Sequence, residues 1–282
     1  LLIYGTRFNN WSDHGFHRVR FLLNRYPKDI LCELYSPGRR FVEFVVEKKN
    51  VPGALAKITA EIAKHNINLL SGLLTAYPEE PTSTWSFFAD FTDVTLKPEQ
   101  LAENLRRLDG VLNVRFAESK YLGLAIDNLH FPFRVLGEGS VVFRVDTVGD
   151  MFNRLHEVFG PGAAVMLHEM DVRAGERKIE SVRRNYKADG QTALDIVMME
   201  RIAKGWGIPE IKEFNREKAE ATIEVKELFE CLPFKDRFEQ ARSFFFKGYL
   251  EGILKQLFKK EVSTTEVECI AKGDPCCKFI AK

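Results

Sequence analysis

The chain has 282 residues, is 45% hydrophobic, and carries 41 Lys and Arg against 40 Asp and Glu. That length accommodates two globular domains, and the balanced charge leaves no global basic field for non-specific nucleic-acid binding. Five cysteines are too few for a disulfide scaffold, although Cys269, Cys276 and Cys277 crowd into the last fourteen positions. No apolar run approaches the roughly 18 to 20 residues that span a bilayer, and the start lacks a signal peptide's basic end and apolar core, so a cytoplasmic protein without membrane contact is expected.

Residues 1–39 mix aromatic and basic side chains without a sustained period and are read as an arm, with a short amphipathic helix over 15–26 ended by Pro27. From residue 40 the pattern sharpens. Phe41-Val42-Glu43-Phe44-Val45-Val46 has the content of a strand. Asn50-Val51-Pro52-Gly53 breaks it, and Leu55, Ile58 and Ile62 recur at helical spacing. Strands at 67–75 and 84–91, a helix at 98–108 and a strand at 111–116 follow. Pro98 suits a first helical turn, and Gly110 lies just past the helix end.

The order βαββαβ is the ferredoxin-like split unit. With Asn50-Val51-Pro52-Gly53-Ala54-Leu55 opening the first helix and Asn66-Ile67-Asn68-Leu69 the second strand, residues 40–118 resemble the ACT family of regulatory domains. The resemblance implies pairing of two copies and an amino-acid site at the loop of Asn50, Pro52, Gly53, Ala54 and Leu55. A glycine that allows close backbone approach and free N–H groups at a helix start suit a carboxylate. The plainer alternative is a tight strand-to-helix turn in a domain that only dimerises.

Residues 119–131 are read as a linker, and 132–282 as a second, α/β domain ending in a β-hairpin; the fold class expected of the whole is α+β. Residues 139–145 predict a strand pair or one bent strand. Asp146 or Thr147 can cap a helix whose apolar face is Met151, Phe152, Leu155, Val158 and Phe159, ended by Gly160-Pro161-Gly162. Further helices run from 163 past 175 and over 192–204, with Pro209 marking a break. Residues 222–229 alternate apolar with charged as a half-exposed strand. A long helix places Phe238, Ala241, Phe245, Tyr249, Ile253 and Leu257 on one side.

If the terminal turn is Lys272-Gly273-Asp274, register sets Cys269 opposite Cys277, a pair able to share a metal ion or form a disulfide, with Cys276 on the other face. Glu266 lies three positions before Cys269, on the opposite face of a regular strand, and joins them only through a bulge. Gly248-Tyr249-Leu250-Glu251-Gly252-Ile253-Leu254 and Glu266-Val267-Glu268-Cys269 followed by Lys272-Gly273-Asp274-Pro275-Cys276-Cys277 resemble the 4-vinyl reductase-type domain, a small-molecule-binding module. That resemblance implies structural zinc on Glu266, Cys269 and Cys277, with a further cysteine expected where this chain has Ser243. Serine is a poor zinc ligand because its hydroxyl stays protonated. Cys231 is the alternative fourth ligand, and a lost metal site with two reduced cysteines is the other reading.

His156, His168, Phe245 and Tyr249 are the candidate contacts for a small apolar or aromatic ligand, each equally readable as plain core or surface. The Gly-x-Gly at 137–139 and 160–162 lacks the context of a dinucleotide fingerprint, and no Walker loop, nucleophile elbow or His-Glu-x-x-His helix is present. The expectation is therefore not an enzyme but a homodimeric, ligand-sensing regulatory protein with output through a partner protein. A factor in tetrapyrrole vinyl reduction and a purely structural assembly protein are the alternatives.

Overall fold

The computed structural model describes residues 25–282, which fall into two compact units divided after Ser140. The helix expected over 15–26 lies, but for its last two residues, outside the described part.

In the first unit, β2 (Phe41–Lys49) is the centre of an antiparallel sheet. It pairs with β5 (Thr82–Asp90) on one side, from Phe41 opposite Asp90 to Lys49 opposite Thr82, and with β6 (Val111–Glu118) on the other. The short strands β3 (Asn68–Leu69) and β4 (Leu73–Thr75) both pair with β5. Alternation sends Val42, Phe44 and Val46 inward, where they meet Ile58 and Ile62 of α1 (Ala54–Lys64) and Leu101 and Leu105 of α2 (Pro98–Arg106). Phe44 stacks on Phe87 at 5.3 Å and on Phe91 at 5.9 Å. The amide of Lys97 donates to the Gln100 side chain at 3.0 Å and closes the start of α2 behind Pro98.

The opposite sheet face is covered at one end. The segments read from sequence as arm and linker supply β1 (Glu33–Tyr35) and β7 (Leu124–Ile126), which pair with each other, and Leu34 and Ala125 bury Phe41 and Phe88. Strands of three residues are too short to leave a period in the sequence. A hairpin of β8 (Arg134–Val135) and β9 (Glu138–Gly139) also lies before the division, so the strand pair expected over 139–145 is displaced, and α3 (Val145–Phe159) begins where it was to end.

The second unit is a four-stranded antiparallel sheet, β10 (Ile208–Asn215), β11 (Glu220–Lys226), β13 (Cys277–Ala281) and β12 (Thr264–Glu268) in that spatial order, packed with helices α4 (Gly162–Tyr186), α5 (Gly190–Ala203) and α6 (Phe244–Phe258). Strand β10 is absent from the sequence reading because Pro209 argues against a strand. It is an edge strand, where proline is tolerated, and Pro209 sits opposite Val225. Of the apolar face expected on α3, Met151, Val158 and Phe159 are exposed; the buried residue of that helix is Gly149, pressed on Pro233.

Helices α4 and α6 cross at contact distance through three glycines. A Cβ on Gly248 would lie 2.1 Å from the carbonyl oxygen of His168, one on Gly252 2.0 Å from that of Val172, and one on Gly175 2.3 Å from that of Tyr249. Each obstacle is backbone, so only glycine lets these helices approach so closely. This contact fixes α6, and α6 carries side chains of both sites described next.

Candidate metal centre and aromatic cluster

Strands β12 and β13 pair Thr264 with Ala281 and Glu266 with Phe279, then slip by one residue so that Glu268 meets Lys278. The slip at Val267 is the bulge that the sequence required. It turns Glu266 and Cys269 to the same side. The connection is longer than the expected three-residue turn: a 3₁₀ turn at Ile270–Lys272 precedes Gly273, whose φ of 97° is left-handed. Asp274 accepts the Cys269 amide proton at 2.7 Å, which closes this loop. The Sγ atoms of Cys269 and Cys277 come to 4.0 Å, whereas Cys276 points elsewhere, to Glu268.

Cys231, just before the 3₁₀ turn Leu232–Phe234, completes the group. Its Sγ lies 3.5 Å from that of Cys269, and the ligand atoms of Cys231, Glu266, Cys269 and Cys277 all lie within 4.8 Å of one another. A tetrahedral zinc with Zn–S of about 2.3 Å sets sulfurs about 3.8 Å apart, between the 3.5 and 4.0 Å found. Ser243, at the start of α6, is not a fourth ligand but a support: its hydroxyl donates to one Glu266 oxygen at 2.6 Å and its amide to the other at 3.1 Å.

The electrostatics are those of anionic ligands without a cation. Burial, then the charge on Cys269, pushes Glu266 up to about 8. Hydrogen bonds from the Cys231 and Cys277 thiols hold Cys269 far below the usual thiol range, and the hydrogen bond to Cys269 raises Cys231 in turn. One thiolate is thus shared among three sulfurs; a divalent cation would ionise all of them. Next door, Glu230 is fully buried and accepts the Phe245 and Phe246 amides at 2.9 and 2.8 Å, capping α6. Burial raises it well above an ordinary carboxyl.

Further along α6, Phe245 and Tyr249 join an aromatic cluster centred on Trp206, at 6.0 and 5.2 Å between ring centres, with Phe229 at 5.3 Å. His156 stands beside it, stacked on Phe244 at 5.6 Å and lowered by burial. His168 is not part of it. Its Nε2 lies 2.7 Å from Glu251, whose other oxygen accepts the Thr264 amide at 2.7 Å, so this histidine ties α4 to α6 and β12.

In the first unit, Gly53 holds a left-handed φ of 82° before α1, with Pro52 exposed, Ala54 buried and Leu55 half-buried. The Asn50 side chain donates to the carbonyls of Tyr77 and Glu80 at 3.0 Å each, fastening the loop to the β4–β5 connection. A second group of ligand-type atoms, Glu43, Asp127 and His130, lies beneath β7, where burial raises Glu43 to about 7.

Residues 222–282 match the vinyl-4-reductase domain family, a stretch that contains Cys231, Ser243, the whole of α6 and the terminal hairpin. Among solved structures, the phenol-responsive sensory domain of the transcription activator PoxR is similar at 18% identity, over 52% of this chain and 79% of that one, with a TM-score of 0.47. A vinyl-4-reductase family protein from Methanocaldococcus jannaschii is 19% identical over 51% and 83%, with a TM-score of 0.35. The ACT domain of a GTP pyrophosphokinase from Chlorobium tepidum is 21% identical over 28% and 99%, with a TM-score of 0.24. No curated protein matches the chain. Among the described residues, no helix is long and apolar enough to cross a membrane.

Proposed function

We propose that this chain is a small-molecule-sensing regulatory protein. Its second unit is a module of the vinyl-4-reductase type that takes a small apolar or aromatic ligand at the Trp206 cluster. Its first unit, with two helices over one face of a sheet in the order β3-β5-β2-β6, is an ACT-like pairing module, and the Gly53 loop is its amino-acid site. Output passes to a partner protein when ligand shifts the balance between two states.

The observation that carries the reading is the convergence of Phe245 and Tyr249 from α6 with Trp206 and Phe229, inside or beside the segment that matches the vinyl-4-reductase domain. Zinc suits the cluster of Cys231, Glu266, Cys269 and Cys277: three soft thiolates and one carboxylate make a closed set with no position left for a reactant. When bound, it would supply structural cross-linking of the β11–α6 segment to the hairpin.

A thermal-shift screen of the whole chain against aromatic compounds and amino acids tests the proposal. Selective protection of several degrees by aromatic compounds is expected for the second unit, and by an amino acid for the first. A flat response to both sets overturns it.

A further inference from the structure

We propose that Asp171, Arg201 and Tyr249 form the polar end of a binding site for a small neutral molecule whose head both donates and accepts hydrogen bonds, its aromatic body lying toward Trp206 and Phe245. This deepens the reading of the second unit as a ligand-binding module and rests on it.

Each of three helices contributes one buried polar side chain, α4 Asp171, α5 Arg201 and α6 Tyr249, and all are at least nine-tenths buried. Asp171 Oδ2, Arg201 Nε and Tyr249 Oη have no hydrogen-bond partner. A native fold seldom leaves such groups unpaired, and three together call for a partner from outside the chain. They are neighbours. Gly175, one helical turn after Asp171, abuts the Tyr249 carbonyl, and the Arg201 guanidinium lies over the rings of both Tyr249 and Trp206, at 4.9 and 4.3 Å. Clamped between two rings, Arg201 holds a fixed direction.

Charge neutralisation is not the purpose of the group. Asp171 makes no ion pair, although Arg201 is the nearby cation that draws its carboxyl down against the burial that lifts it to about 7. Arg201 instead approaches Glu200 at 3.6 Å, a carboxylate already shared with Lys178 and Lys204. An anionic ligand would meet Asp171, and a cationic one Arg201. A neutral head serves both: it gives a proton to Asp171 and accepts one from Arg201, with Tyr249 able to do either. A primary amide does this with two atoms and a phenolic hydroxyl with one.

The test is calorimetric titration of the whole chain with benzamide and phenol as the two donor–acceptor heads, acetophenone as acceptor only, toluene as bare ring, and benzoate and benzylamine as charged heads. Benzamide or phenol should bind at least tenfold more tightly than the other four. Asp171→Leu, which extends the apolar stripe of α4, and Tyr249→Phe should each weaken that binding about tenfold or more while leaving toluene unchanged, with folding checked by circular dichroism. Equal affinity for toluene, tighter binding of benzoate or benzylamine, or full affinity in both variants would overturn the polar site while leaving a ligand-binding module. Failure of all six probes would count against the module itself.

Discussion

At the start of α6, Ser243 donates to Glu266, Cys231 and Cys277 surround Cys269, and Glu230 takes up two free amides of the helix. One and a half turns further along, Tyr249 meets Arg201 and Asp171, and there each side chain keeps a polar atom without a partner. Both groups are buried, charged and built on the same helix. The difference lies in completeness: the first closes on itself and asks only for a cation at its centre, whereas the second is open toward a missing donor and acceptor. A closed group stabilises a fold. An open one costs stability that a ligand returns.

Four measurements can break or sharpen this contrast. The largest effect belongs to the closed group. Cys231→Ser and Cys269→Ala are each expected to remove zinc from the purified protein and to lower stability by on the order of 5 kcal/mol, read by metal analysis and by the denaturant midpoint. Stoichiometric zinc in Cys231→Ser would move the fourth ligand elsewhere.

Gly252→Ala strikes the helix that both groups share. Its Cβ would meet the Val172 carbonyl at 2.0 Å, so a loss of roughly 3 kcal/mol or more is expected, together with loss of the zinc and of ligand protection. If only one of these is lost, α6 does not couple the groups.

Asp171→Asn should stabilise the protein, the opposite sign. Burial raises the folded pKa from 3.8 to about 7, so the charged form is penalised in the fold. The penalty is absent below about pH 4, grows through the interval and is complete above about pH 7. The variant should therefore match the parent near pH 4 and exceed it at pH 8 by on the order of 3 kcal/mol, visible in paired thermal melts. A difference independent of pH would mean that the carboxylate has a partner after all. The smallest effect is Ser243→Ala, which removes one buried hydrogen bond to Glu266 and is expected to cost about 1 to 2 kcal/mol while zinc is retained.

The sheet and helices of the first unit were readable because β2 alternates strictly and Pro52-Gly53 and Gly110 punctuate it. The edges were not readable: β1 and β7 are three residues each, and β10 hides behind Pro209. At the metal cluster, Glu266, Cys269 and Cys277 are local in sequence, and only the bulge at Val267 had to be supplied. Cys231 comes from another loop, and no spacing rule reaches it. Asp171 and Arg201 left a signal that went unread. Asp171 sits in the stripe Leu167, Asp171, Gly175, Ile179, and Arg201 follows Leu194, Val197 and Met198 at helical spacing, so both occupy positions that a period of 3.6 assigns to the interior. A charge in an apolar stripe is the mark of a buried polar site.

The pairing of Glu33 with Ile126 and Tyr35 with Leu124 brings together two stretches ninety-odd residues apart, and the Asp127 amide adds a further bond to the Cys32 carbonyl at 2.9 Å. Because the strands run antiparallel, the chain enters and leaves the sheet of the first unit through one narrow stem, about 5 Å wide between Cα atoms. The unit therefore hangs as a pendant on a two-strand stalk. Tension along the polypeptide peels that stalk open one bond at a time from its free end, before any load reaches the aromatic core around Phe44.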